Sequence, residues 1–204
     1  LTAGSGVAIG LPQNHKITPS AGAEKLPKAN GYRAIVSGSC SVATNGQVAH
    51  FIKQGGIAFA LDPLALSKNA NLVDELVALA AAKIQQGPVL VYATASPESV
   101  KSVQATLGVA KAGEMVEAAL STIAKRLVSL GVEQLIVAGG ETSGACVQAL
   151  NIETMRIGPA IAPGVPWCFA ASDVAKNGGL HITLKSGNFG QENFFTQSFE
   201  LLND

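Results

Sequence analysis

Short apolar runs alternate with longer amphipathic stretches along most of the chain, as in sheets whose strands are buried on both faces and covered by helices. Tyr32–Val36 is apolar and predicts a first strand. Across Thr44–Gln54, Val48, Phe51 and Ile52 recur at helical spacing. Ile57–Leu61 predicts a second buried strand, closed by Asp62-Pro63. Ala70–Gln86 reads as an amphipathic helix with Leu72, Leu76, Leu79 and Ile84 on one side. Val89–Tyr92 predicts a third strand, and Ser96-Pro97-Glu98 opens a helix with a capping hydroxyl and a proline in the first turn. Glu114–Leu130 predicts another long helix ended by Gly131, Leu135–Ala138 a fourth strand and Thr142–Leu150 a short helix. Beyond Asn151, short strands are expected at Ile152–Ile157, Trp167–Ala170 and His181–Leu184, with a closing helix over Phe194–Leu202.

This order predicts an α/β fold, a three-layer α/β/α arrangement around a mainly parallel, Rossmann-like sheet. Residues 31–204 read as one domain. Residues 1–30 mix Gly, Pro and Ser without periodicity and read as a linker or domain approach. The chain opens Leu1-Thr2-Ala3-Gly4 without a methionine, and is expected to be cut from something longer.

Composition narrows the function. Of 204 residues 48% are hydrophobic and 14% charged, with 22 Gly, which suits close helix–sheet packing. Fourteen Lys and Arg balance fourteen Asp and Glu, so no overall basic field favours nucleic acid as a partner. No apolar run reaches the ~20 residues of a membrane span. Cys40, Cys146 and Cys168 are widely spaced and include no metal-ligand pattern, so reduced thiols and a cytoplasmic location are expected.

Three apolar runs end in small, hydroxyl-rich turns. Ala34-Ile35-Val36 leads into Ser37-Gly38-Ser39-Cys40-Ser41, and Leu135–Ala138 into Gly139-Gly140-Glu141-Thr142-Ser143-Gly144. His181–Leu184 leads into Lys185-Ser186-Gly187-Asn188-Phe189-Gly190. Glycine lets backbone N–H groups approach an anion, and a following helix adds partial positive charge. Parallel sheets bind ligands at the carboxyl ends of their strands, so the three turns are expected to share one crevice. Each has a plainer alternative. Gly139–Gly144 also suits a simple tight turn, and it matches neither the Walker loop nor the dinucleotide fingerprint. Glu141 suits either a magnesium-bound water or a solvent-facing first turn. Lys185 suits a phosphate oxygen or bulk water, and Asn188 a ribose or an ordinary turn. Cys40 reads either as a nucleophile, with His15, His50 and His181 as the available bases, or as a structural thiol. Gly158–Trp167 is proline-rich and suits a stiff apolar wall for a nucleobase, with Trp167 in the core.

Together, Val36–Ser41, Ala138–Gly144, Pro163-Gly164-Val165-Pro166-Trp167 and Lys185–Gly190 resemble the carboxy-terminal nucleotide-binding domain of the four-carbon acid sugar kinases. The likeness runs from Ala3-Gly4-Ser5-Gly6 to the end of the chain. It implies ATP-dependent phosphorylation of the terminal hydroxyl of 3-oxo-tetronate, threonate or erythronate, with ATP and Mg²⁺ as cofactors. Carried over, the nucleotide contacts are Ser39, Gly139, Gly140, Glu141, Thr142, Ser143 and Gly187; Ser37, Lys185 and Asn188 stand beside them as candidates. The family's Asp-Asp-x-Thr-Gly motif is not in this chain. The implied partner is therefore an amino-terminal substrate domain of the same protein, holding the acid sugar and the catalytic base; a homodimer is a further expected assembly. Two other readings stay open: a Cys40-dependent hydrolase or acyl transferase, and a non-catalytic module that binds a phosphorylated metabolite.

Overall fold

The computed structural model describes residues 5–18, 20, 22 and 25–202. Ala3 and Gly4, where the family likeness begins, lie outside the described residues. A 3-10 turn (Ser5–Gly10) and the one-turn α1 (Leu11–Asn14) come first. The remaining elements are β1 (Tyr32–Ser37), α2 (Val42–Lys53), β2 (Ile57–Ala60), α3 (Pro63–Leu66), α4 (Leu72–Lys83), β3 (Val89–Tyr92), α5 (Pro97–Leu107), α6 (Val109–Ser129), β4 (Val132–Ala138), α7 (Gly140–Ala149), β5 (Met155–Ala162), β6 (Val165–Ala171), β7 (Gly179–Lys185) and α8 (Phe194–Gln197). A 3-10 turn, Glu200–Leu202, closes the described chain.

All seven strands form one sheet in the order β2-β3-β1-β4-β7-β6-β5. The first five in that order are parallel, with Ile35 opposite Leu90 on one side and Ile136 on the other. From β1 the chain builds β3 and β2 to one side and then β4 to the other. The direction of winding thus reverses between β1 and β4, where open α/β sheets bind ligands.

Alternation along the central strands feeds a core on each face. Ala34 and Val36 of β1 and Leu135 and Val137 of β4 join Leu76, Leu120, Ile123 and Leu127 of α4 and α6. Ile35, Ile136 and Ala138 face the other way and pack with Val48, Phe51, Trp167, Phe195 and Phe199. Strands buried on both faces read as continuous apolar runs, which is why they stand out in the sequence. Trp167 is fully buried, and its Nε1 donates to the Ser198 carbonyl at 2.7 Å. Among the described residues no helix is long and apolar enough to cross a membrane.

Several elements differ from expectation. The proline-rich Gly158–Trp167 segment is a β-hairpin turning at Pro163-Gly164 and extending the sheet antiparallel to β7. Pro159 is tolerated on the edge strand, and Pro166 lies beyond the last β6–β7 pair, so neither breaks a regular ladder. The helix expected from Glu114 begins at Val109, separated from α5 only by Gly108. The expected closing helix is two short pieces, α8 and the final 3-10 turn.

Candidate functional site

The three small-residue turns meet at the carboxyl ends of β1, β4 and β7. The Gly38 and Ser39 amides donate to the Ala138 carbonyl at 3.0 and 3.2 Å, and the Gly139 amide donates to the Lys185 carbonyl at 2.8 Å. A Cβ on Gly38 would fall 2.2 Å from Thr142 Oγ1, so only glycine allows the first two turns to pack this closely. Gly139, at φ +123, takes a conformation that other residues avoid and brings the chain sharply from β4 into α7.

These turns border a cavity of about 880 Å³. Ser39, Gly139, Gly140, Glu141, Thr142 and Gly187 of the sequence candidates line it, and so do Gly38 and Cys40. One part of the lining is therefore built of turns and the first turn of α7. An apolar part of the lining is contributed by Leu61 and Pro63 after β2, by Val100 and Val103 of α5, and by Val109 and Val116 of α6. No residue of the Gly158–Trp167 hairpin lines the cavity, so the apolar wall comes from α5 and α6 instead.

The α7 terminus supplies unclaimed donors. Its first intrahelical bond runs from the Ser143 amide to the Gly139 carbonyl, and no side chain caps the start. The amides of Gly140, Glu141 and Thr142 consequently have no partner in the helix. Against that positive end stand carboxylates. Asp62, Glu114, Glu117 and Glu141 line the cavity, whereas no Lys or Arg does. Burial raises the Glu117 pKa above the usual carboxylate range, and the charges of Glu141 and Glu114 raise it further.

The remaining candidates do not line the cavity. Ser37 is buried and shares a 2.7 Å hydrogen bond with Thr94, joining the ends of β1 and β3. Ser143 is buried with its Oγ unpaired. Lys185 is buried, and its Nζ reaches Thr44 Oγ1 and the carbonyls of Ser186 and Gly187. Asn188 is exposed on the turn after β7. Cys40 lines the cavity without a basic partner. Among the described residues its Sγ approaches the Gly38 and Ala93 carbonyls, both at 3.9 Å, while His50 faces Glu192 and His181 contacts the Pro27 carbonyl. His50 and His181 therefore do not pair with Cys40 as a cysteine–histidine nucleophile.

Sequence reading missed the residues that bind the turns together. Ser41 caps α2; its Oγ and that of Thr44 both donate to the Gly187 carbonyl, at 2.6 and 2.8 Å. Gln47 Nε2 reaches the carbonyls of Phe189, Gly190 and Gln191. Asn45 Nδ2 donates to the Cys40, Ser41 and Ala95 carbonyls. The readable signal was a polar stripe, Ser41, Thr44 and Gln47, at three-residue spacing along a helix that otherwise buries Val48 and Phe51.

Fold and cavity define an α/β domain that offers backbone donors to an anion at its sheet's winding reversal. The chain belongs to the nucleotide-binding C-terminal domain family, whose sequence pattern matches residues 34–195. It is 46% identical over 206 residues to the 3-oxo-tetronate kinase of Cupriavidus necator, covering 99% of this chain and 46% of that protein. The 3-oxo-tetronate kinase of Pseudomonas fluorescens is 46% identical over 97% of this chain and 45% of its own length. A crystal structure of a Haemophilus influenzae protein of the DUF1537 family superposes with a TM-score of 0.81 at 34% identity, over 93% of this chain and 44% of that one. The chain thus spans about half the length of the curated relatives it matches.

Proposed function

We propose that this chain is the ATP-binding part of a kinase that phosphorylates the terminal hydroxyl of a four-carbon acid sugar. One observation carries the reading: the first turn of α7, whose three leading amides have no partner in the helix, borders the same cavity as the turns after β1 and β7, and that cavity also has an apolar lining. Phosphates would lie at the α7 end, held by Gly140, Glu141 and Thr142 amides with Ser39 and Gly187 alongside. The adenine would lie against Val100, Val103, Val109 and Val116. Phosphoryl transfer demands mainly positioning and stabilisation of spread negative charge, and fixed backbone dipoles supply both.

The carboxylates around the cavity would repel a bare polyphosphate. Among the described residues no group of three or more His, Cys, Asp or Glu is arranged to hold a metal alone. Hard oxygen donors in small number do suit Mg²⁺, which takes one or two carboxylates and completes its shell with phosphates and water. Glu141 and Glu117 would hold it, and bound there it would offset charge on the phosphates.

In this reading residues 31–204 are the nucleotide domain. Residues 1–30 lead from an amino-terminal domain that carries the acid sugar and the proton acceptor. It also assigns the protein to the cytoplasm. Titration calorimetry with ADP tests the proposal: saturable binding with Mg²⁺, weakened at least about tenfold by EDTA, is expected. No binding at millimolar Mg-ADP would refute it.

A further inference from the structure

Lys185 ends β7 as a fully buried cation, and neither ion pair found among the described residues includes it. Its Nζ has three neutral acceptors: Thr44 Oγ1 at 3.0 Å, the Ser186 carbonyl at 3.0 Å and the Gly187 carbonyl at 3.1 Å. The Phe194 ring centre lies 5.9 Å away. The Gly187 oxygen receives two more hydrogen bonds, from Ser41 and Thr44, so three donors converge on one carbonyl. Peptide bonds here are trans, so drawing that oxygen inward turns the Asn188 N–H to the opposite side of the peptide, away from Lys185. Gly187 itself lines the cavity, one peptide from the ammonium.

A buried ammonium with only neutral acceptors is unfavourable. An anion arriving across the turn would relieve it. We propose that Lys185 is a positioning residue of the nucleotide site: it pins the Gly187–Asn188 peptide from behind and finds its missing counter-charge in the bound polyphosphate. This role rests on the nucleotide reading above. It differs from direct phosphate contact, because every donor of Lys185 is engaged with the protein.

Arg33 on β1, Lys53 at the end of α2 and Glu133 near the start of β4 are the charged groups farther along the elements around Lys185. Cys40 lies in the turn after β1, Glu141 opens α7, and His181 on β7 contacts the Pro27 carbonyl. His50 on α2 and Glu192 before α8 face each other at 4.0 Å. Burial brings the Lys185 pKa down to about 8. A polyphosphate nearby would raise it, so binding above that pH should draw in a proton.

The test is calorimetric titration of the intact protein with Mg-ADP at about pH 7 and about pH 8.5, in buffers of different ionisation enthalpy. Wild type is expected to take up a fraction of a proton at the higher pH. K185M should take up none and bind at least about tenfold more weakly at pH 7, without a lower melting temperature in the absence of nucleotide. K185R should keep affinity within about threefold and lose the proton uptake, since arginine stays charged. Equal proton uptake in wild type and K185R would overturn the proposal, and that comparison stands even if K185M does not fold. K185M binding within about twofold of wild type would also overturn it. Failure of wild type to bind Mg-ADP would instead remove the nucleotide reading itself.

Discussion

Glu117 shows how one side chain joins stability to the candidate site. It lies on α6, half-buried, with burial and the charges of Glu141 and Glu114 all disfavouring its ionised form. Its folded pKa is therefore above the unfolded one. The folded state binds the proton more tightly, so stability falls as pH rises from the ordinary carboxylate range through the raised value. E117Q should raise the melting temperature at pH 7 and flatten its decline between acid and neutral pH; a thermal shift series over that range checks both. The same variant should weaken Mg-ADP, because it removes a donor for the metal while easing repulsion in the empty cavity. A substitution that stabilised nothing at neutral pH would mean that the carboxylates do not press on one another. Glu117 was invisible as a candidate, since an acid on an amphipathic helix resembles any solvated position. Its significance comes from Glu141, 24 positions later in the chain, and only the fold brings the two together.

At the scale of elements, α5 has few contacts of its own. It begins with a Ser96 cap accepting from the Ser99 amide, yet none of its eleven residues is buried. Val100, Val103 and Gln104 instead face the cavity. A helix without a buried stripe relies on local capping and little else, and should open readily. Occupancy of the apolar part of the cavity would supply the missing packing. Hydrogen exchange should therefore slow across residues 97–107 when Mg-ADP is added, while residues 155–171 of the hairpin stay unchanged. Unaltered exchange in α5 would move the base elsewhere. The central strands, α4 and α6 were legible because apolar runs and helical periodicity are written locally. Start and end points were less so: α6 begins at Val109, ahead of its apolar face, because Gly108 ends α5 there. Short strands were expected at Ile152–Ile157 and Trp167–Ala170, but not their extension into a β5–β6 hairpin, because its prolines, which argue against a strand, fall where the ladder is open or irregular.

The whole molecule explains why the candidates split as they did. The meeting of Ser39, Gly140 and Gly187 at one cavity follows from parallel strands, whose carboxyl ends all point one way. That much was legible once the alternation of strands and helices was. Which side chains face the cavity was not, since depth depends on neighbours from distant segments. Ser37 is taken up by Thr94 and Lys185 by Thr44, partners 57 and 141 positions away.

The lining of the cavity also governs how a ligand arrives. No Lys or Arg lines it, Lys185 lies buried behind the Gly187 turn, and the sequence as a whole is neutral at fourteen charges of each sign. Attraction therefore comes from amide dipoles and one buried ammonium, opposed by the carboxylates of the lining, and salt leaves charges a reach of only ~8–10 Å. Nothing draws a nucleotide from afar. Stopped-flow association of Mg-ADP should accordingly not slow as sodium chloride is added, unlike the steep slowing of electrostatically guided encounters. Such a domain fills by random collision, and its occupancy would track the free Mg-nucleotide concentration around it, whatever the ionic strength.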